Sequence, residues 1–149
     1  MTGENTATFE PQLTIQSRLD DLSLVWSWVE TLADLYSIPA EVQFAIQLCL
    51  EEALSNIIRH GYGGQPNHAI NINCSRAGAN DLAFILEDHA PPFDPLEYSA
   101  IDESPVPASI DQLQVGGQGI RLLRKFAGGL AYQRLPGGNR LTINVTIRT

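Results

Sequence analysis

Residues 40–60 constrain the fold more than any other stretch, because they read as one helix that is apolar around most of its circumference. Ile46, Leu50, Ala53, Leu54, Ile57 and Ile58 recur at three- and four-residue spacing and face a core. One polar line interrupts them: Glu52, Asn56 and His60 fall at every fourth residue, about 40° apart around the axis and about 6 Å apart along it. On an ordinary amphipathic helix such a line is a solvated face. On a helix sandwiched between other elements it borders a cavity, where a carboxylate takes a proton and a carboxamide oxygen holds a magnesium ion or its water. Pro39 suits the first helical turn, Glu41 lies near the positive N-terminal end, and Gly61, Gly63 and Gly64 let the backbone leave the helix.

Around this helix the periodicities alternate. Residues 13–15 read as a short strand, and residues 18–37 as an amphipathic helix built on Leu22, Val25, Trp26, Val29, Leu32, Ala33 and Tyr36. Residues 69–74 alternate and residues 82–86 are continuously apolar, so together they predict a hairpin turning at residues 78–81. A further hairpin is expected from residues 130–135 and 141–147, turning at Pro136-Gly137-Gly138-Asn139. Between the hairpins, residues 91–115 carry five prolines and no period, and residues 120–127 predict a short helix ended by Gly128-Gly129. Helices on one face of a mostly antiparallel sheet follow from this order, an α+β sandwich. The length of 149 residues and the 44% hydrophobic content suit a single domain, with no apolar run of the roughly 18 residues that a membrane span needs.

Charge is segregated along the chain. Residues 1–111 hold all seventeen acids and three arginines, a net −14, whereas residues 112–149 hold six cations and no acid, +6. The overall −8 excludes a nucleic-acid binder that works by neutralising many phosphates. It leaves two readings of the basic tail: a small anionic ligand held there, or pairing with acids elsewhere in the fold. The first residues lack a basic-then-apolar leader pattern, which points to a cytoplasmic protein, and Cys49 and Cys74 are expected to be buried free thiols.

Two further segments carry chemistry. Asp88 ends the apolar strand and opens Asp88-His89-Ala90-Pro91-Pro92-Phe93-Asp94-Pro95, where it either caps the proline-rich turn or accepts hydrogens from an amine-bearing ring. Gly116-Gly117-Gln118-Gly119 precedes a helix and is either a hinge or a backbone cradle for phosphate.

In this order the three segments resemble the GHKL ATPases, the group of gyrase and the histidine kinases. Residues 51–62 resemble the N box, residues 88–95 the first glycine box and residues 116–122 the second, and the resemblance covers about residues 10–148. His60-Gly61-Tyr62, Pro92-Phe93-Asp94-Pro95 and the Gly-Gly-x-Gly-Ile-x-Leu run from Gly116 resemble the small bacterial anti-sigma factors that are also serine-protein kinases. That resemblance implies a two-layer ATP-binding (Bergerat) sandwich with a mostly antiparallel mixed sheet and about three helices on one face. It implies Glu52 as general base, Asn56 as magnesium ligand, and Asp88 on the adenine amine, with Ala90, Gly117, Gly119, Ile120 and Thr142 also at the nucleotide. Residues 94–115 would form the ATP lid and residues 1–9 would be flexible. The implied ligands are ATP and Mg2+. The implied partners are a sigma factor, a STAS-type antagonist whose serine is phosphorylated, and a second copy of the chain in a homodimer, with no direct role for nucleic acid or membrane. A non-catalytic ATP-binding module that sequesters a protein partner is the alternative. Two departures from the family bear on the site. Position 90 is usually glycine, so Ala90 requires φ below zero. No cation lies between Arg76 and Arg121, which leaves Arg121, Arg124 and Arg140 as unranked candidates for the phosphates, with solvent or a partner as the other place for Arg121 and Arg124.

Overall fold

The computed structural model describes residues 10–94 and 127–148. Strand β1 (Gln12–Gln16) leads through a 3-10 turn at Leu19–Asp21 into helix α1 (Leu22–Tyr36), followed by α2 (Ala40–Asn56) and a single π turn, Ile57–Gly61. Strands β2 (Ala69–Gly78), β3 (Asp81–Asp88), β4 (Ala127–Leu135) and β5 (Gly138–Thr146) complete the order. The five strands form one sheet, β1-β2-β3-β5-β4. Every described pairing is antiparallel, so the expected mixed character is absent from these strands.

Strand alternation gives the sheet two unlike faces. Ile70, Ile72 and Cys74 of β2, Leu82, Phe84 and Leu86 of β3, and Leu141, Ile143 and Val145 of β5 point to one face and are buried. Their cross-strand partners, such as Phe84 with Ile143 and Leu86 with Leu141, keep that phase across the sheet. Residues one position out of phase, including Asn71, Asn73, Thr142 and Asn144, lie on the other face and are half-buried.

Helix α2 packs into the core and is covered by α1. Its six predicted core positions are all buried, joined by Val42, Ala45, Gln47 and Cys49, so the helix is sandwiched as its apolar circumference requires. Gln47 is buried with its amide donating to the Trp26 carbonyl, and Trp26 Nε1 donates to Glu51, which ties α1 to α2 by polar as well as apolar contact. Helix α1 ends at Ser37, in the left-handed region at φ 55°, while Arg148 donates to the carbonyls of Tyr36 and Ser37 at 3.0 and 2.7 Å. Both cysteines are buried thiols outside any disulfide, and burial pushes the Cys74 thiol up to about 12.

Several boundaries differ from the sequence reading: α2 gives way to the π turn at Ile57, and β5 begins at Gly138 rather than at residue 141. The helix expected from residue 18 begins at Leu22, after the 3-10 turn. Strand β2 runs on to Gly78 through polar residues that the hydrophobic pattern excluded. Strand β4 already includes Ala127, because the glycines read as a helix stop lie at a bulge between Ala127 and Gly129. The rest of the expected third helix, the lid beyond Asp94 and residues 1–9 lie outside the described residues.

Candidate functional site

Asp88 is the last residue of β3, in phase with Phe84 and Leu86, so its carboxyl points to the helix side and is only 3% exposed. Oδ1 accepts the Asn139 amide at 2.8 Å and the Ala90 N–H at 2.9 Å. No hydrogen bond reaches Oδ2 among the described residues. Burial pushes the carboxyl above the usual range, and the bonds from Asn139 and Ala90 and the charges of His89 and Arg134 pull it back. A buried carboxylate with one acceptor oxygen unpaired is costly unless a donor fills the place. An exocyclic amine is such a donor, and the residues present therefore fit an adenine.

The loop after Asp88 is held from three sides. The Ala90 carbonyl accepts Arg134 NH1 at 2.9 Å and Asn139 Nδ2 at 3.2 Å, and the His89 N–H donates to the Tyr62 hydroxyl at 2.8 Å. Tyr62 donates in turn to the Ala69 carbonyl and stacks on His68 with centroids 4.8 Å apart. Ala90 is not among the positive-φ residues, so the backbone there accommodates its methyl group.

Helix α2 brings its polar line to this loop. Asn56 Nδ2 donates to Glu52 Oε2 at 3.2 Å, with Glu52 half-buried, Asn56 6% exposed and His60 exposed. The line is thus neither a plain solvated face nor a buried row. Its inner end is covered and its outer end meets the Asp88 loop, where the His60 and Phe93 rings lie 6.0 Å apart. At Gly61 a Cβ would stand 3.5 Å from both Ala90 and the Phe93 ring, so the helix end abuts the loop directly. The π turn is what redirects the chain here: Tyr62 N–H bonds back to the Ile57 carbonyl, and Gly63 and Gly64 follow at φ 62° and 79°. No group of three or more His, Cys, Asp or Glu suited to a metal occurs among the described residues. A magnesium ion at Asn56 would therefore use its carboxamide oxygen together with water and phosphate oxygens, the usual manner for this cation.

Asp88 and Ala90 thus lie on the loop that meets the C-terminal end of the helix whose polar line carries Glu52 and Asn56. Gly117, Gly119 and Ile120 lie outside the described residues. Thr142 is a correction: it pairs with Ile85, one position out of phase with Asp88, and so stands on the opposite face of the sheet. Arg140 is another, because it pairs with Asp88's outward neighbour Glu87 at 2.6 Å on that same far face. Arg121 and Arg124 lie outside the described residues. Sequence reasoning missed Asn139, the residue directly across from Asp88. Its signal was a polar residue in phase with Leu141, Ile143 and Val145, hidden by the turn that it follows.

Comparisons with known proteins identify the family. Residues 15–145 match the histidine kinase-like ATPase domain family. The chain is 33% identical over 139 residues to the serine/threonine-protein kinase BtrW of Bordetella bronchiseptica, covering 93% of this chain and 92% of that protein. In fold it is similar to the RsbU and RsbW domains of Rv1364c from Mycobacterium tuberculosis, at TM-score 0.60 and 14% identity over 95% of this chain and 34% of the other. A second likeness is to the histidine kinase domain of the blue-light activated kinase EL346 of Erythrobacter litoralis, at TM-score 0.52 and 16% identity over 87% of this chain and 60% of that one. The chain belongs to the histidine kinase-like ATPase domain family, and over nearly its whole length it is related to the serine/threonine-protein kinase BtrW.

Proposed function

We propose that this chain is an ATP- and magnesium-dependent serine-protein kinase and anti-sigma factor of a bacterial partner-switching system. The observation that carries the reading is the buried Asp88, whose Oδ2 has no hydrogen bond among the described residues, on a loop that meets the end of the helix carrying a half-buried glutamate bonded to an asparagine. Asp88 reads the base, Asn56 supplies an oxygen to magnesium, and Glu52 takes the proton from a partner's serine hydroxyl. The serine oxygen forms a bond to the γ-phosphorus as the bond to the ADP oxygen breaks. Little else is asked of the protein, since phosphoryl transfer depends chiefly on alignment and charge stabilisation. Gly117, Gly119 and Ile120 belong to the phosphate-binding segment in this reading, with residues 94–115 as the lid. The substrate is a STAS-type antagonist, the sequestered partner is a sigma factor, and the active form is a homodimer in the cytoplasm.

The test is transfer of labelled γ-phosphate from ATP to a purified STAS-type antagonist protein, by wild type and Glu52→Ala. The reading expects serine phosphorylation by wild type and a loss of at least about a hundredfold in Glu52→Ala with ATP binding retained, in line with the contribution of a positioned base. Equal transfer by the two proteins overturns the role of Glu52. Binding without any transfer by wild type overturns the kinase and leaves a regulatory ATP-binding module.

A further inference from the structure

Asn139 is 2% exposed, and its two amide atoms face opposite kinds of group. Nδ2 donates to Asp88 Oδ1 at 2.8 Å and to the carbonyls of Pro91 and Ala90 at 3.1 and 3.2 Å. Oδ1 accepts the Tyr132 hydroxyl and the Phe93 N–H at 3.2 Å, with Arg134 NH1 at 3.4 Å. Turning the amide over would set an oxygen against a carboxylate and two carbonyls, so one orientation alone satisfies the site. Asp88 Oδ1 is then filled by two donors, and Oδ2 is the acceptor left for a ligand.

We propose that Asn139 is a positioning residue that holds Asp88 as an acceptor-only carboxylate, and that this sets the preference for adenine over guanine. The inference rests on ATP as the ligand of this site. Adenine presents an amine where guanine presents a carbonyl oxygen, and a carboxylate that can only accept attracts the first and repels the second. Protonation of Asp88 would reverse the choice, because an O–H donates to the guanine oxygen. Burial drives the carboxyl toward that state, and the Asn139 bond is foremost among the groups that oppose it. The other charged and titratable groups around it are His89 on the loop, Arg134 on β4, and Tyr62 and His60 at the end of α2, while β2 presents the apolar Ile70.

Calorimetry of ATP and GTP binding at pH 6, 7 and 8.5 tests this on wild type, Asn139→Leu and Tyr132→Phe. Wild type is expected to prefer ATP at least tenfold throughout. Asn139→Leu should lose about tenfold in ATP affinity at pH 7, the size expected for a hydrogen bond to a charged group, and regain part of it at pH 8.5. Its ATP-to-GTP ratio should narrow most at pH 6. Tyr132→Phe keeps Asn139 but removes a donor that anchors its oxygen, so it should shift each value the same way by about threefold, and it decides the matter if Asn139→Leu does not fold. A loss that is uniform in pH with an unchanged ATP-to-GTP ratio marks a merely structural residue and overturns the proposal, as does wild-type behaviour in both variants. Failure of wild type to bind either nucleotide overturns the ATP reading itself, and the proposal with it.

Discussion

Gly138 offers a steric probe of the site that replaces no polar side chain. It opens β5 next to Asn139, and a Cβ built there falls well inside van der Waals contact of the Asp88 carbonyl oxygen, with the carbonyl carbon at 3.2 Å and His89 Cα at 3.4 Å. All three neighbours are backbone, so no rotamer change relieves the clash and the end of β3 has to move away from β5. Overpacking of this kind costs about 1–3 kcal/mol, and a rigid backbone neighbour places Gly138→Ala near the upper value, about 3 kcal/mol. At about 2–4 °C per kcal/mol for a chain of this size, the melting temperature should fall by roughly 6–12 °C. Gly137 is the control. Its φ is 78° and its Cβ would meet nothing within 4 Å, so Gly137→Ala should cost about 1–2 kcal/mol through backbone strain and leave Asp88 in place. Thermal melts paired with ATP titrations separate the two: Gly138→Ala should lose about tenfold or more in affinity and Gly137→Ala almost none. If Gly138→Ala melts within about 1 °C of wild type and binds ATP equally well, the close approach of β5 to Asp88 is refuted.

Two further substitutions address charge. Burial raises the Asp88 carboxyl, so the stability it contributes is full below its unfolded value of about 4 and is lost as the pH rises through the higher folded one. Asp88→Asn escapes that loss: its melting temperature should gain on wild type as the pH rises from about 4 and level off above the folded pKa, while ATP binding disappears. A pH-independent difference in melting temperature would contradict the raised carboxyl. Arg140 pairs with Glu87 on the far face, with side chains 39% and 33% exposed, so Arg140→Ala should cost under about 1 kcal/mol by denaturant titration. ATP affinity and its salt dependence should stay at wild-type values; a weakened, less salt-sensitive affinity would return Arg140 to the phosphates.

Much of the site was legible because its residues break a strong pattern. Glu52 and Asn56 stood out against an otherwise apolar helix, and Asp88 stood at the end of a continuously apolar strand. Asn139 was not legible, since Gly137-Gly138 marks a turn whichever way the next side chain points, and its partner Asp88 is 51 residues away in sequence. Thr142 was misplaced for a related reason: without strand phase, a threonine near the ligand in sequence order is indistinguishable from one on the far face. The segregated charge has also resolved in part. Arg140 pairs with Glu87 across the sheet, as expected if the tail pairs with acids elsewhere, whereas Arg148 donates to carbonyls at the end of α1 and Arg134 bonds to the Ala90 carbonyl at the site. Strand β2 outran its apolar stretch because ladder hydrogen bonds to β3 need backbone, not apolar side chains.

The most direct test is calorimetric titration of ATP into the folded wild-type chain, with and without magnesium. The account predicts saturable binding at one site per chain, tighter with magnesium present. A folded protein that takes up no ATP under either condition would contradict it.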